Sequence, residues 1–488
     1  MSSPTRSGDA GAAVPLQPGL ERKIGPFQAI AINMTQMCGI GPFVTMPLMV
    51  AALGGAQAMF GWIIGAIVVL ADGLIWAELG AAMPGAGGTY IYLREAFQYR
   101  TGKLMPFLFV WSAVLFIPLI MSSGIIGLVN YLGYVVPGMA NADGTNTGLG
   151  KIVGIVITAA IMLALLRKIG QISKLTTVLF GVMMFAMLAT IVAAFTHFSA
   201  HQAFAFTPGT FSFNGGSFWL GLGAGLSIAV YDYLGYNTIA YLGAEVRNPG
   251  RTMPRAIIFS ILGIMGLYFL FQVGVLGALP VDKITGASSL ASIVLEQSWG
   301  VPVAKVITVL IVIAAIGSVF AGLLGGSRVP FEAARDKVFL SAFGKLHPKL
   351  HLPTAGVLTM GVITMVGSLF SINDVINSAV AVLVLIQSLA QVAAIVVLRR
   401  RQPTLKRPYK QWMFPLPTLI AAAGFVYLYV TPGKPIYLWL SLGWTAFGIG
   451  AFLIYAKTEK IWPFGPKEIR EQYLIAETTE EAEEGVQA

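Results

Sequence analysis

Two stretches of this chain place glycine, tyrosine and acidic residues inside runs that are otherwise apolar. The first stretch is Cys38, Gly39, Ile40 and Gly41, and the second contributes Tyr231, Asp232, Tyr233, Gly235, Tyr236 and Asn237. Glycine lets a helix unwind without a side chain that blocks a ligand, and the N–H groups at the start of the next helical segment suit a carboxylate. Tyrosine rings and a carboxylate suit an ammonium group. We therefore predict a binding site for a small amine-bearing molecule between the two stretches.

Two acidic residues, Asp72 and Asp232, lie deep within these apolar runs. An ionisable residue at bilayer depth is a functional candidate, facing the helix bundle or water. Asp232 could hold a cationic substrate, take up a proton because burial disfavours its charge, or cap the following helix segment. For Asp72, substrate contact, a proton relay and a structural hydrogen bond all stay open. Both residues are candidates for proton or charge coupling.

Pro42 follows the first stretch directly, and it carries no N–H group. It fits the first turn of a helix, but one donor to a bound carboxylate is then missing. Cys38 is the only cysteine, which excludes an internal disulfide and a cluster of thiolate ligands. Cys38 either lines the site or fills apolar space. Glu245, beside Arg247 and Arg251, is expected to form a salt bridge that contributes to an inner gate.

The elements that position these residues are membrane-spanning helices. The chain has 488 residues, of which 56% are apolar and 11% are charged, and its mean hydropathy is +0.77. Apolar runs of membrane-spanning length recur throughout. We count twelve spans, at about residues 27–52, 55–83, 104–136, 151–166, 173–196, 218–246, 255–279, 303–331, 354–371, 374–398, 413–431 and 436–456.

The two stretches break the first and the sixth span. Backbone N–H and C=O groups that lack a helical hydrogen bond are tolerated in a membrane only beside a cavity. Breaks at corresponding positions of two halves of a chain are typical of a transporter site. Gly41 and Gly235 are 194 positions apart (235 minus 41). The sixth span comes five spans after the first, so it enters with the opposite orientation. The predicted fold is all-helical and membrane-integral, with a five-plus-five inverted repeat and two added C-terminal helices.

The net charge of +10 does not indicate nucleic-acid binding, because the charges lie between the spans. With both termini cytoplasmic, 27 of the 31 Lys and Arg residues fall on the inner side; the four others are Lys151, Lys283, Lys305 and Lys434. This bias predicts a multi-pass protein of the plasma or inner membrane. Its predicted parts are a disordered tail at 1–23, a ten-helix core at 24–398, a basic loop with helices 11 and 12 at 399–456, and an acidic tail at 457–488.

The basic loop at 399–410 is either an orientation signal or a contact for anionic lipid. Elsewhere the sequence has neither a phosphate-binding glycine-rich loop with its lysine nor an arrangement of serine, histidine and aspartate that indicates a hydrolase. We predict that the protein is not an enzyme and needs no cofactor or metal. Transport would then depend on an ion gradient, on exchange or on diffusion.

Several motifs carry a family resemblance. They are Cys38-Gly-Ile-Gly-Pro-Phe-Val44, the loop at 77–93, the loop at 245–256, the end of the eighth span at 327–336, and Arg407-Pro-Tyr-Lys410. In this order they resemble the amino acid–polyamine–organocation superfamily of permeases. The Gly41-Pro42 step and Asp72 are similar to its polyamine and amino acid uptake branch. Asn237 departs from that branch, which often has an acid there; Asp232 could replace it.

The resemblance implies a LeuT-like fold with the substrate between broken helices 1 and 6. The backbone of Gly39 to Gly41 would hold a carboxylate, that of Tyr231 to Gly235 would hold the amine, and Tyr231 would be an aromatic gate. The implied function is secondary active, cation- or proton-linked transport of amino acids or polyamines by alternating access. A zwitterionic amino acid exchanger and a non-transporting sensor are the alternatives.

Two features bear on coupling and partners. Several proton-coupled relatives have a lysine within helix 5, and residues 175–195 contain none. Heteromeric members use a cysteine in an outer loop to attach a partner, and the loop at 137–150 has none. The expected partners are therefore the substrate, a proton if transport is proton-linked, and the lipid bilayer, without a disulfide-linked subunit or nucleic acid.

Overall fold

The computed structural model describes residues 22–85, 88–141, 145–166, 172–212, 217–347, 353–431 and 434–464. Nearly all of the predicted N-terminal tail, and the acidic tail from residue 465 onward, lie outside the described residues. Within these ranges the chain is helical, and extended pairing is limited to two isolated bridges, Ile24 with Val246 and Ala140 with Asn146.

Nineteen α-helices follow one another along the described ranges. They are α1 Pro26–Met37, α2 Gly41–Leu53, α3 Ala58–Ala82, α4 Thr89–Thr101, α5 Leu104–Val135, α6 Gly148–Leu165, α7 Ile172–Thr196, α8 Ala200–Ala203, α9 Ser217–Tyr233, α10 Thr238–Tyr241, α11 Pro249–Ala278, α12 Val281–Thr285, α13 Leu290–Trp299, α14 Val301–Arg335, α15 Thr354–Gly367, α16 Ile372–Leu383, α17 Ala390–Arg401, α18 Leu416–Val430 and α19 Ile436–Thr458.

The first predicted span is broken as expected. Helices α1 and α2 meet at an angle of 54° across Cys38, Gly39 and Ile40. Pro26 and Pro42 lie in the first turns of α1 and α2, where a missing N–H breaks no helical hydrogen bond. The break therefore follows from local sequence.

The sixth predicted span is also broken, but its second half is shorter than a continuous helix. Helix α9 ends at Tyr233, and α10 begins at Thr238 and spans four residues. A 3-10 helix, Gly243–Glu245, completes the span. Gly243 packs closely against the backbone of Pro84, and this contact leaves no room for a larger side chain there.

The other predicted spans correspond to helices in the described ranges. Among the described residues, eight helical stretches are long and apolar enough to cross a membrane, and the bent pair α1–α2 makes a ninth. Helices α15 and α18 are apolar but shorter, and α9 with α10 accounts for the sixth span. The tenth span joins α16 to α17 through a π-helical turn, Val384–Leu389. Helices α4, α8, α12 and α13 lie in connections where no span was predicted.

The two broken spans lie inside the bundle. Helix α1 packs on α11, and α2 packs on α9, so that the breaks face each other. Helix α3 packs on α9 and α11, whereas α5 packs on α14, α15 and α16. The second span thus pairs with the seventh and the third with the eighth, which agrees with the predicted repeat.

Candidate functional site

The break in the first span presents three backbone N–H groups. Cys38 donates its N–H to the Met34 carbonyl (2.8 Å), and Phe43 donates to Ile40 (3.1 Å). Between them, no described carbonyl or side chain accepts from the N–H groups of Gly39, Ile40 and Gly41. These groups stand at the N-terminus of α2, where a helix carries partial positive charge. The break can therefore hold an anionic group.

The break in the sixth span depends on Gly235. Its φ is +114°, a left-handed conformation that favours glycine. A Cβ atom there would lie 2.6 Å from the Cβ of Gln36, so the end of α1 approaches this backbone closely. The carbonyls of Tyr233 and Leu234 accept no hydrogen bond from a described residue. They lie at the C-terminus of α9, where a helix attracts positive charge.

Asp232 connects the two breaks. Its carboxylate is buried, and Oδ2 accepts a hydrogen bond from the Thr45 hydroxyl on α2. Its Oδ1 atom is buried and has no hydrogen-bond partner among the described residues. A Cβ atom at Gly41 would overlap Oδ1, so this oxygen lies against the first residue of α2. Asp232 does not cap α10, because the Ile239 N–H there is satisfied by Asn33 (2.9 Å).

Tyr231 covers the space between α2 and α5. Its hydroxyl is 2.5 Å from the Ser123 hydroxyl on α5, and its ring faces Gly41, with 3.8 Å from Cε1 to a Cβ built there. The side chain therefore lies across one side of the break, where the aromatic gate is predicted.

Tyr233 and Tyr236 pack into the bundle instead of lining open space. Tyr233 is fully buried against Trp62 and Tyr268, with ring centroids 6.2 and 5.7 Å away. The Tyr236 hydroxyl donates to Asp72. Asn237, the residue before α10, makes no side-chain hydrogen bond to any described residue.

Asp72 is held on α3, one helix away from the breaks. Its Oδ2 atom accepts from the Trp76 indole (3.0 Å) and from the Tyr236 hydroxyl, and Oδ1 has no partner in the described part of the chain. Asp72 therefore reaches the sixth span through Tyr236, and its carboxylate is engaged by the two aromatic side chains.

Three further residues join the breaks and were not identified from the sequence. Asn33 donates from Nδ2 to the Tyr236 carbonyl (2.6 Å) and accepts from Ile239 through Oδ1, so it bridges both sides of the second break. Tyr268 donates to the carbonyls of Met37 (2.7 Å) and Asp232 (3.3 Å). Thr45 is the third. A polar residue inside a predicted membrane span is the one sequence signal that could have identified Asn33.

Partly exposed small residues surround the first break. Gly39, Gly41, Gly124 and Ser318 retain some accessible surface, although their neighbours are buried. A Cβ atom at Gly39 would lie 3.5 Å from the Ser318 hydroxyl on α14. Cys38 is buried beside them within the apolar core. Open space therefore adjoins the free N–H groups, and Cys38 contributes apolar packing next to it.

One end of the bundle is covered by α12 and α13, which pack on α2. Tyr131 of α5 links α13 to α2, because its hydroxyl donates to the Phe43 carbonyl (3.2 Å) and accepts from the Ala291 N–H (3.0 Å). On α14, Ser318 and Gly325 lie two helical turns apart on one face, and Gly325 is exposed. The face of α14 that borders the first break is therefore exposed toward the opposite end.

At that opposite end, the residues before α1 pair with those after the sixth span. Ile24 donates its N–H to the Glu245 carbonyl (3.0 Å), and Arg247 donates to the Ile24 carbonyl (2.9 Å). The predicted salt bridge of Glu245 with Arg247 or Arg251 is not formed within the described ranges; backbone pairing joins the two segments instead. The Arg247 side chain donates to the Arg22 carbonyl (3.1 Å).

The basic loop contributes to a buried ion-pair cluster around Glu78. Glu78 accepts from Arg399 Nε (2.8 Å) and from the Gln411 N–H (2.6 Å), and Arg407 Nε lies 3.4 Å away. Arg407 also donates to the Leu398 carbonyl (2.9 Å). Two of the cations considered for lipid contact therefore point into the protein.

A separate cavity of about 300 Å³ lies where α4 meets α5. Tyr90, Arg94, Lys103 and Asp336 are among its lining residues, and the Tyr90 hydroxyl donates to Asp336 (3.1 Å). None of the predicted binding residues lines it.

Known proteins resemble this chain over most of its length. The family model described as amino acid permease matches residues 24–460. The serine/threonine exchanger SteT of Bacillus subtilis is 28% identical over 83% of this chain and 90% of that protein. The branched-chain amino acid permease BcaP of Lactococcus lactis is 26% identical over 86% and 93% of the two chains. The Asc-type amino acid transporter 1 of Mus musculus is 25% identical over 80% and 73%.

Proposed function

Because the chain belongs to the amino acid permease family of the amino acid–polyamine–organocation superfamily, we propose that it carries amino acids across a membrane by alternating access. The observation that carries this proposal is the set of free N–H groups at Gly39, Ile40 and Gly41. No described group accepts from them, open space lies beside them, and a substrate carboxylate would satisfy them.

The substrate ammonium group would lie at the sixth-span break. The C-terminus of α9 is negative, and the free carbonyls of Tyr233 and Leu234 supply acceptors. An α-amino acid separates its two charged groups by one carbon atom, so it can span the two breaks. The relatives' names refer to serine, threonine and branched-chain amino acids, which supports a zwitterionic substrate.

Alternating access would arise from movement of the broken spans against the surrounding helices. Helices α3 and α11 flank the broken spans, and α5, α14 and α15 form the opposing group. In the proposed LeuT-like inverted repeat, the two groups tilt against each other. Tyr231 and the cover of α12 and α13 would close one side, while the face of Ser318 and Gly325 lines the other.

A second candidate substrate is a polyamine or another cationic amine. The unpartnered Oδ1 atom of Asp232 favours it, because an ammonium group would satisfy this acceptor and neutralise its charge. A polyamine would leave the N–H groups of α2 empty, which is why an amino acid is the better candidate.

Transport into proteoliposomes tests these proposals. The purified protein is reconstituted and supplied with radiolabelled L-serine, L-leucine, L-arginine or putrescine, with and without unlabelled substrate inside. Uptake of serine or leucine supports the main proposal, and putrescine uptake alone supports the second. Flux that requires internal substrate would identify an exchanger, and binding without flux would indicate a sensor and contradict transport.

Two glycine variants provide a matched comparison. Gly41→Ala places a methyl group on the Asp232 carboxylate and should abolish uptake. Gly443→Ala adds the same group to α19, where nothing lies within 4 Å, and should transport like the wild type. Normal uptake by Gly41→Ala would refute the assigned site.

A further inference from the structure

The Asp232 carboxylate occupies the same helix end at which the substrate carboxylate is proposed to bind. Its Oδ1 atom lies against Gly41, the first residue of α2, and no described residue gives it a hydrogen bond. Its Oδ2 atom is held by the Thr45 hydroxyl one turn further along α2. The protein therefore has an acidic oxygen of its own beside the free N–H groups.

Asp232 has no positively charged neighbour in the described part of the chain. The titratable side chains that face it are a thiol from the first break, two phenols of α9 and one phenol of α11: Cys38, Tyr231, Tyr233 and Tyr268. The phenol hydroxyls are engaged elsewhere: Tyr231 shares a hydrogen bond with the Ser123 hydroxyl, Tyr233 donates to the Trp62 carbonyl, and Tyr268 donates to two backbone carbonyls. No cation therefore compensates an ionised Asp232 there.

A second carboxylate at this helix end would repel an ionised Asp232. Two carboxylates that share a site hold a proton between them, because they cannot both ionise. Protonated at Oδ1, Asp232 becomes a donor that can reach a group bound at Gly41. Pro42 lacks an N–H at this position, and the carboxylic acid would supply the donor that it omits.

We propose that a zwitterionic amino acid binds together with one proton on Asp232, and that this shared site couples transport to protons. The inference rests on the proposed function. The proton resides on Oδ1 while the substrate carboxylate occupies the N–H groups of Gly39 to Gly41. After the substrate leaves on the other side, Asp232 ionises and releases the proton. Each cycle carries one zwitterion and one positive charge.

Asp72 provides a matched comparison for Asp232. It is also a buried acid with one unpartnered oxygen, but Trp76 and Tyr236 hold it on α3. It makes no hydrogen bond to the first span. A proton on Asp72 would not change the charge at the N-terminus of α2 directly, so the two acids should behave differently.

The test measures binding of radiolabelled L-serine and L-leucine to purified protein between pH 5 and pH 8. For the wild type, affinity should fall by about tenfold per pH unit once Asp232 is ionised, because one proton binds with the substrate. Asp232→Asn keeps an acceptor for Thr45 but cannot ionise, and its affinity should not depend on pH. Asp72→Asn should keep the slope of the wild type, even if its transport is slower.

Transport by the same proteins gives a second readout. In proteoliposomes, an inward proton gradient should drive accumulation by the wild type. Asp232→Asn should exchange internal for external substrate without gradient-driven accumulation. If Asp232→Asn keeps the pH slope or the accumulation, or if the slope is lost in Asp72→Asn instead, the proposal is wrong.

Thr45→Val keeps the proposal testable if Asp232→Asn fails to fold. Removal of the hydroxyl takes away the donor that stabilises an ionised Asp232, so the fall in affinity should move to higher pH with an unchanged slope. An unmoved profile would contradict the inference.

The wild type distinguishes failure of the coupling from failure of the proposed function. If it transports serine or leucine with the same affinity at every pH, the coupling alone is wrong. If it neither binds nor transports any amino acid, the proposed function is wrong as well.

Discussion

At the scale of single residues, charge and polarity within the bundle are matched by specific partners. Glu78 is 1% exposed, and the side chains of Arg399 and Arg407 are 22% and 8% exposed. Charges taken out of water are tolerated when they are paired and hydrogen-bonded. This cluster joins α3 to the end of α17 and to the loop before α18, so one carboxylate fixes three segments.

Replacement of Glu78 by glutamine should destabilise the protein by about 3 kcal/mol, because two partly buried guanidinium groups lose their counter-ion. Thermal unfolding of the detergent-purified protein measures the change. Glu332→Gln is the control: its partner Arg335 is 3.7 Å away and both side chains are more than half exposed, so its effect should stay within about 0.5 kcal/mol. Equal stability of the two variants would show that the Glu78 cluster contributes nothing.

At the scale of elements, the two broken spans are joined at both breaks and at one end. Thr45 with Asp232 and Asn33 with Tyr236 connect them near the middle of the bundle. The bridge between Ile24 and Val246 connects the segments that precede α1 and follow the sixth span. Elements held at several points move together, so these contacts favour movement of the two spans as one unit.

Ile24→Pro removes the N–H that donates to Glu245 and should slow transport without weakening substrate binding. The loss of one hydrogen bond, about 1 kcal/mol, corresponds to roughly a fivefold change in rate. Initial uptake rates and equilibrium binding, measured on the same preparation, separate the two effects. Ile24→Val keeps the N–H and should match the wild type. An unchanged rate for Ile24→Pro would mean that the bridge does not couple the two spans.

At the scale of the whole molecule, the arrangement of charge predicts the orientation in the membrane. The chain is a permease of a known family and not an enzyme, as the sequence predicted. It is a multi-pass protein, and cytoplasmic termini remain a prediction from the distribution of Lys and Arg. The cover formed by α12 and α13 would then face outward, and the Ile24 bridge inward.

Cysteine labelling of intact cells tests this orientation. In a Cys38→Ser background, a cysteine at exposed Asp282 in α12 should react with a membrane-impermeant maleimide. A cysteine at exposed Lys406 in the basic loop should react only after the membrane is permeabilised. The reversed pattern would place both termini outside.

The breaks and the spans could be predicted from the sequence, because both depend on local composition. Apolar runs of membrane-spanning length, and glycine and proline at Gly39, Gly41, Pro42 and Gly235, need no distant partner to be recognised. The free N–H groups at the start of α2 follow from the same local signal, whereas the short second half of the sixth span does not. The family, too, was predicted correctly from motifs along the chain.

Which polar groups meet depends on the packing of the helices and could not be predicted from the sequence. Thr45 and Asp232 are 187 positions apart, Asp72 and Tyr236 are 164 apart, and Glu78 and Arg399 are 321 apart. A buried carboxylate must find a donor, but composition and periodicity do not say on which helix. For this reason the sequence did not decide whether Asp232 caps a helix, contacts the substrate or takes up a proton. For the same reason it left the basic loop as either a contact for anionic lipid or an orientation signal. The packing of α2 on α9 is what places Asp232 at the N-terminus of α2.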